Sequence, residues 1–179
     1  MKFLIALVFL QFIAAQEVAV EKINSVLEHL SDSKKYIPEY IYNTLQDMNQ
    51  ETRAQIAQLV NDVHEKKFGP PRNMEDMLAT LNKEYPLVAQ VANQLNTFYR
   101  QRLGNLGPKA QEFFNRYEAH TFETLGDDAS EIEANIANHA EQLANDFKEL
   151  YEDPEEAAKL DEQFPEFRNI YNELVNENH

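Results

Sequence analysis

Apolar residues recur at helical spacing along almost the whole chain, and capping, proline and glycine residues separate one such stretch from the next. The sharpest of these breaks is Phe68-Gly69-Pro70-Pro71, where two prolines follow a glycine. Runs that alternate β-branched and polar residues, the usual signal of a strand, are missing from the sequence. The pattern therefore predicts an all-α fold, a compact multi-helix bundle in which each helix buries one face.

Three long helices are predicted over residues 85–103, 109–125 and 131–151. Each has apolar side chains three and four residues apart, so that they share one face of the helix. The three faces comprise Val88, Val91, Leu95 and Phe98; then Ala110, Phe113, Phe114 and Tyr117; then Ile132, Ile136, Ala140, Leu143, Phe147 and Leu150. We expect these faces to be buried against one another or against the shorter helices.

Shorter helices are expected over residues 17–30, 38–48 and 154–163, between Asn49 and Phe68, and after Asn73 and Pro165. The helix that follows Asn49 has a predicted buried face, which comprises Ile56, Leu59, Val60 and Val63. Side-chain oxygens suited to cap helix N-termini are those of Asn49, Asn73, Asp153 and Ser130, the last with Glu133 in a capping box.

Residues 1–15 have the pattern of a secretory signal peptide. A lysine is followed by an apolar stretch over residues 3–13, and then by the small residues Ala14 and Ala15 at a cleavage site. The apolar stretch is too short to cross a bilayer, and no later stretch is long enough. We therefore expect cleavage after Ala15, which leaves residues 16–179 as a single secreted helical domain, expected to be a monomer.

The chain contains no cysteine, which excludes disulfides, thiolate metal sites and cysteine nucleophiles. A secreted domain without disulfides has to be stabilised by its packed core. The net charge is −15, and residues 127–179 hold sixteen acidic and three basic side chains, a local net charge of −13. Because such a surface repels nucleic acids and anionic lipids, we expect no nucleic-acid partner.

No residue pattern indicates catalysis or a bound metal. The sequence His64-Glu65-Lys66-Lys67-Phe68 begins like the zinc-protease motif H-E-x-x-H, but a phenylalanine occupies the position of the second ligand. None of the five histidines has a carboxylate three residues before it, which excludes the E-x-x-H pairs of a di-iron bundle. The nucleophile elbow and the glycine-rich phosphate loops are also missing. We therefore expect no enzymatic activity, no metal site and no cofactor.

Five segments resemble, in order and approximate spacing, the nematode fatty acid and retinol binding proteins, a family of small, secreted, helix-rich lipid carriers. The segments are residues 36–39 (YIPE), 73–78 (NMEDML), 103–114 (LGNLGPKAQEFF), 154–157 (PEEA) and 164–165 (FP). The third is similar to the family's Leu-x-Pro-x-Ala-Lys-x-Phe helix start, with Gln111 where a second lysine is usual. The resemblance implies an all-helical carrier that binds fatty acids, with retinol as a further candidate ligand.

The aromatic and aliphatic side chains on the helix faces allow two interpretations. They either fill the core completely or line an apolar cavity, and sequence periodicity does not separate the two. A cavity would hold a long acyl chain, which is costly to keep in water. The ligand-binding residues predicted on this basis are Ile56, Leu59, Val63, Leu95, Phe98, Arg102, Phe113, Phe114, Tyr117, Leu143 and Phe147.

Arg102 occupies the next core-facing step after Phe98 in the helix predicted over residues 85–103. A cation there either extends into water at the helix end or faces a cavity and pairs with an anion. On the second hypothesis Arg102 binds the carboxylate of the ligand, because an unpaired buried charge is expensive.

The alternative to a carrier is a secreted helical interaction protein, for example an immunomodulator or a relative of the nematode SXP/RAL-2-like secreted proteins. Such a protein would have a fully packed core and no small ligand.

Overall fold

The computed structural model describes residues 19–124 and 129–176, with the backbone alone described at residues 120, 123–124 and 129–140. Its helices are α1 (Val20–His29), a 3₁₀ helix (Leu30–Tyr36), α2 (Glu39–Gln46), α3 (Gln50–His64), α4 (Met74–Glu84), α5 (Pro86–Leu103), α6 (Pro108–Thr124), α7 (Ala129–Glu152), α8 (Pro154–Gln163) and α9 (Phe167–Asn176). All regular structure in the described ranges is helical, which confirms the all-α prediction. The predicted signal peptide, residues 1–15, lies outside the described residues.

The helices begin where the capping residues predict. Asn49 accepts a hydrogen bond from the backbone N–H of Thr52 at 2.8 Å, and Asn73 accepts one from Asp76 at 2.8 Å. Asp153 caps α8 in the same way through the N–H groups of Glu155 and Glu156, at 3.1 and 3.4 Å. The side chains of the predicted Ser130–Glu133 capping box lie outside the described residues.

Two helix boundaries differ from the prediction. The chain does not leave the helical conformation after α1 but tightens into the 3₁₀ helix, which continues to Tyr36. The last helix begins at Phe167, because Pro165 and Glu166 form a turn in which Phe167 N–H donates to the Phe164 carbonyl at 3.0 Å.

The buried apolar residues form three clusters. The N-terminal cluster joins α1, the 3₁₀ helix, α2, α3 and α5, and comprises Ile23, Leu27, Leu30, Ile37, Ile41, Met48, Ala57, Val60 and Leu95. The α4–α5 cluster comprises Leu81, Tyr85, Val88 and Ala89. The C-terminal cluster joins α5 to α6–α9 and comprises Tyr99, Leu103, Leu106, Ala110, Phe113, Phe114, Phe147, Leu150, Tyr151, Ala157, Leu160, Phe164 and Phe167.

The prediction of a buried Val63 is wrong, since this side chain is 46% exposed. Val63 lies in the last turn of α3, where the inward-facing residue is Asp62. The Tyr85 hydroxyl donates a 2.5 Å hydrogen bond to Asp62, and Lys67 pairs with the other carboxylate oxygen. These two partners hold the pKa of Asp62 below its usual range. The apolar face of α3 therefore ends before the helix does.

The region around the end of the 3₁₀ helix is tied at the surface to the region around α9. Glu173 of α9 accepts hydrogen bonds from Lys35 and Tyr36 of the 3₁₀ helix, the first at 3.0 Å. Glu166 accepts the backbone N–H of Glu39, the first residue of α2, at 3.1 Å. The N-terminal helices are thereby connected to the C-terminal cluster by polar contacts as well as through α5.

Candidate functional site

The predicted ligand-binding residues do not form one wall but divide among the three clusters. Five belong to or pack against the C-terminal cluster alone: Phe113, Phe114, Tyr117, Leu143 and Phe147. Leu95 is part of the N-terminal cluster, Ile56 packs against both it and the α4–α5 cluster, and Leu59 packs against the latter. Val63 belongs to none of the three.

The aromatic rings of the C-terminal cluster contact one another and form one continuous group. Phe114 is the centre of the group: its ring lies 5.0 Å from that of Phe113, 5.9 Å from Phe167 and 6.2 Å from Phe164. Phe113 also contacts Phe147, at 6.0 Å between ring centroids. Each such pair adds stability beyond the area it buries, so these rings hold each other in place.

Tyr117 extends this aromatic group towards solvent. Its hydroxyl donates a 2.7 Å hydrogen bond to Asp146 of α7, which also pairs with Arg116 at 2.5 Å. Burial, helped by the hydrogen bond to Asp146, raises the pKa of Tyr117 to about 12. The Tyr117 hydroxyl therefore remains neutral at physiological pH and acts only as a hydrogen-bond donor or acceptor.

Phe98 is the predicted residue that packs against both the N-terminal and the C-terminal cluster. We call this contact between the two clusters the seam. The Phe98 ring lies parallel to that of Tyr40, at 4.3 Å between centroids and an angle of 14°. The Arg102 guanidinium lies 4.5 Å from the centroid of the same ring. The seam therefore ends at the surface in a stack of rings beside a cation.

Arg102 neither extends freely into water nor waits unpaired for a ligand. Its half-buried guanidinium donates to the backbone carbonyl of Gln163, the last residue of α8. A cation at a helix C-terminus is favourable, because the last carbonyls of a helix carry partial negative charge. The contact to Phe98 and a longer one of 6.0 Å to Phe164 complete its surroundings.

A cleft of about 500 Å³ lies between α2 and α5, on the outer side of the seam. We call it the amide cleft, because carboxamides predominate among its lining residues, which are Tyr40, Gln90, Asn93, Gln94, Thr97, Phe98 and Gln101. Phe98 is the predicted ligand-binding residue among them. None of these seven side chains is charged.

Sequence reasoning missed Glu156, a buried carboxylate that joins residues 154–157 to residues 103–114. Glu156 is 5% exposed and accepts the backbone N–H groups of Lys109 and Ala110 at 3.2 and 3.1 Å. It thereby caps the N-terminus of α6 from another helix. A Cβ at Gly107 would lie 2.3 Å from both Glu156 oxygens, so a glycine is required there. Residues 103–114 and 154–157 both carry the family resemblance, but nothing in either segment alone indicates this contact, which we call the clasp.

In the described part of the chain, no three histidine, aspartate or glutamate side chains converge as they would around a metal ion. No described helix combines the length and the hydropathy needed to cross a bilayer.

Comparison with known proteins identifies the family. Residues 31–176 match the family model described as nematode fatty acid retinoid binding protein (Gp-FAR-1). The matched range runs from the 3₁₀ helix to the last residue of α9. No curated protein and no solved structure is significantly similar to the chain.

Proposed function

Because the chain belongs to the nematode fatty acid and retinoid binding protein family, we propose that it is a secreted carrier that holds a fatty acid, or retinol, between its helices. The observation that carries this proposal is the family match itself, which covers residues 31–176 and so includes all three apolar clusters except the start of the N-terminal one. A carrier of this kind binds its ligand reversibly and performs no chemistry on it.

The proposed position of the hydrocarbon chain is the seam beside Phe98. Leu95 on one side and Phe113 and Phe114 on the other are predicted to line it. Moving about 16 methylenes of a fatty acid out of water is worth roughly 13 kcal/mol before association costs. That gain has to offset the contacts that the two clusters lose when they separate, so the ligand cavity is expected to open as the ligand enters.

Arg102 is the proposed partner of the ligand carboxylate. One of its five N–H groups is engaged by the Gln163 carbonyl. The remaining donors stay available for an anion at the outer end of the seam, where a charge-assisted hydrogen bond would stabilise a carboxylate. Retinol carries a hydroxyl instead, so it would gain less from the guanidinium than a fatty acid does.

Secretion is proposed from residues 1–15, whose charged, apolar and small-residue regions follow one another in the order of a signal peptide. The acidic surface fits a carrier that diffuses rather than adheres, since it opposes contact with anionic membranes. N-terminal sequencing of secreted material is expected to give a chain that begins at Gln16; a chain that still begins at Met1 would refute the signal peptide.

Titration with a fluorescent fatty acid such as 11-(dansylamino)undecanoic acid tests the proposed function. We expect its emission to shift to the blue on binding and the shift to be reversed by oleate, because the probe moves from water into an apolar space. Retinol, followed by its own fluorescence, is expected to compete. Emission that stays at its aqueous position, with the protein well above micromolar concentration, would contradict the proposal and favour a packed helical interaction protein.

A further inference from the structure

The amide cleft and the seam share one side chain, which is Phe98. Its ring packs against both apolar clusters on the inner side and lines the cleft on the outer side. Tyr40, which also lines the cleft, lies on the Phe98 ring at a centroid distance of 4.3 Å. A ligand that travels from the cleft to the seam therefore has to pass this pair of rings.

Tyr40 is more exposed than Phe98, on which it stacks, and than Ile41, the next residue of α2. It is 40% exposed, and within the described residues its hydroxyl makes no hydrogen bond. The next residue, Ile41, is 1% exposed and anchors α2 in the N-terminal cluster. The ring of Tyr40 can consequently rotate into solvent while the helix that carries it stays in place, and exposed side chains do so within nanoseconds.

The lining of the cleft suits the passage of an amphiphile. Residues 86–99, which supply most of it, contain no charged side chain, although 26% of the residues in the whole chain are charged. Carboxamides can donate and accept hydrogen bonds and so can hold a head group briefly without forming an ion pair. The guanidinium of Arg102 lies on the far side of this neutral surface, against the Phe98 ring.

We propose that the amide cleft is the mouth through which a lipid reaches the seam, and that the Tyr40 ring is its gate. The gate is closed while Tyr40 stacks on Phe98 and open when the ring turns into solvent. This inference rests on the proposed carrier function and adds the route and the residue that controls the rate of exchange. A gate of this kind changes how fast ligand binds and leaves, but not how tightly it is held, because on this proposal the Tyr40 ring stacks on Phe98 again once the ligand has passed.

Stopped-flow measurement of 11-(dansylamino)undecanoic acid binding to the full secreted chain tests the gate. Replacing Tyr40→Ala removes the stack, and we expect both the association and the dissociation rate constant to rise by a similar factor of about two to ten, the worth of one aromatic pair. The dissociation constant is expected to change less than twofold. Val63→Ala is the matched control, since Val63 is also a large apolar residue that is exposed among those described. It neither belongs to one of the three clusters nor lines the amide cleft, so it lies outside the proposed route.

A reversible block provides a second test, because the chain has no native cysteine. A bulky group attached by a disulfide to the Tyr40→Cys variant is expected to slow both rate constants, and a reducing agent to restore them. The same group on the Val63→Cys variant is expected to leave both rate constants unchanged.

Three results would overturn the gate. The first is exchange at the wild-type rate in both Tyr40 variants, with and without the attached group. The second is a weaker affinity in Tyr40→Ala that comes from the dissociation rate alone, because Tyr40 would then line the bound ligand instead of gating it. The third is a wild-type chain that does not bind the probe, which overturns the proposed function together with the gate, whereas the first two leave the proposed function intact.

Discussion

The C-terminal and N-terminal clusters are built from different side chains. Seven of the thirteen described buried residues of the C-terminal cluster are phenylalanine or tyrosine, whereas none of the nine in the N-terminal cluster is aromatic. Rings that contact each other edge to face fix one arrangement, while aliphatic side chains repack at smaller cost. If a ligand enters the seam as proposed, room for it is therefore more easily made on the N-terminal side.

Polar contacts follow the same division. In the C-terminal half, Glu156 caps α6 and Lys109 pairs with Asp153 at 2.5 Å, so that α6 and α8 are clasped together. In the N-terminal half, Arg53 of α3 donates to the carbonyls of Met48 and Gln46, at 2.9 and 3.0 Å, and to the Asn24 side chain of α1 at 2.9 Å. The first set joins α6 and α8 through a buried carboxylate, whereas the second joins α1 and the α2–α3 connection to α3 through one arginine.

The largest expected effect on stability is that of breaking the aromatic group. Phe114→Ala removes a ring that contacts four others and is expected to lower the free energy of unfolding by about 4 kcal/mol. Tyr42→Ala, which removes a half-buried ring beside the N-terminal cluster, is expected to cost only about 1–2 kcal/mol. Urea denaturation of both variants measures the difference; equal losses would show that the two clusters do not differ in this respect.

Breaking the clasp between Glu156 and the N-terminus of α6 is expected to give the next largest loss of stability. Gly107→Ala would force Glu156 away from the N-terminus of α6 and is expected to cost about 2–3 kcal/mol, because buried N–H groups lose their acceptor. Gly69→Ala is the control, since nothing lies within 4 Å of a Cβ there. In a Glu156→Ala background the cost of Gly107→Ala should fall by at least about 1 kcal/mol. Additive costs would contradict the clasp.

Arg102→Leu is expected to weaken oleate several-fold, which corresponds to about 1 kcal/mol. Retinol, which has no carboxylate, is expected to bind almost as before. Loss of the bond to Gln163 also destabilises the contact between α5 and α8, so thermal unfolding of the same variant has to be measured alongside. Equal losses for the two ligands would indicate a packing defect, and no loss for either would remove Arg102 from the site.

The free energy of unfolding is expected to depend on pH through Asp62, which lies in the N-terminal half. Its pKa is lowered in the folded chain, so its contribution is present above about pH 4 and is lost as the pH falls further. Asp62→Asn is expected to be about 1 kcal/mol less stable than wild type at pH 7. The difference between the two proteins should shrink as the pH falls below about 4. A constant difference across this range would show that Asp62 acts through packing and not through its charge.

The smallest expected effect is a gain in stability when Lys66 is replaced by glycine. Lys66 has a φ of 54°, the left-handed region that costs a lysine more than a glycine, and it ends α3 with its N–H on the Val63 carbonyl at 3.0 Å. Lys66→Gly is therefore expected to raise the free energy of unfolding by about 0.5–1 kcal/mol. A loss of stability in thermal denaturation would mean that the lysine side chain makes a compensating contact.

Sequence reasoning predicted those features that depend on neighbours along the chain. The helices, their order and the caps at Asn49, Asn73 and Asp153 all follow from residues within one or two turns. The destination of Arg102 could not be predicted, because its acceptor at Gln163 is 61 residues away. The burial of Glu156, whose partners in α6 are 46 and 47 residues distant, depends in the same way on tertiary contacts. The failure at Val63 has a related cause, because Tyr85 recruits Asp62 to the interior.

Organic extraction of protein purified from a lipid-containing source tests whether the chain carries a lipid, as we propose. After extensive washing, mass spectrometry of the extract is expected to show fatty acid in a molar ratio approaching one per chain, with less in Arg102→Leu. Protein that yields no fatty acid and also takes up none when oleate is added would contradict the claim.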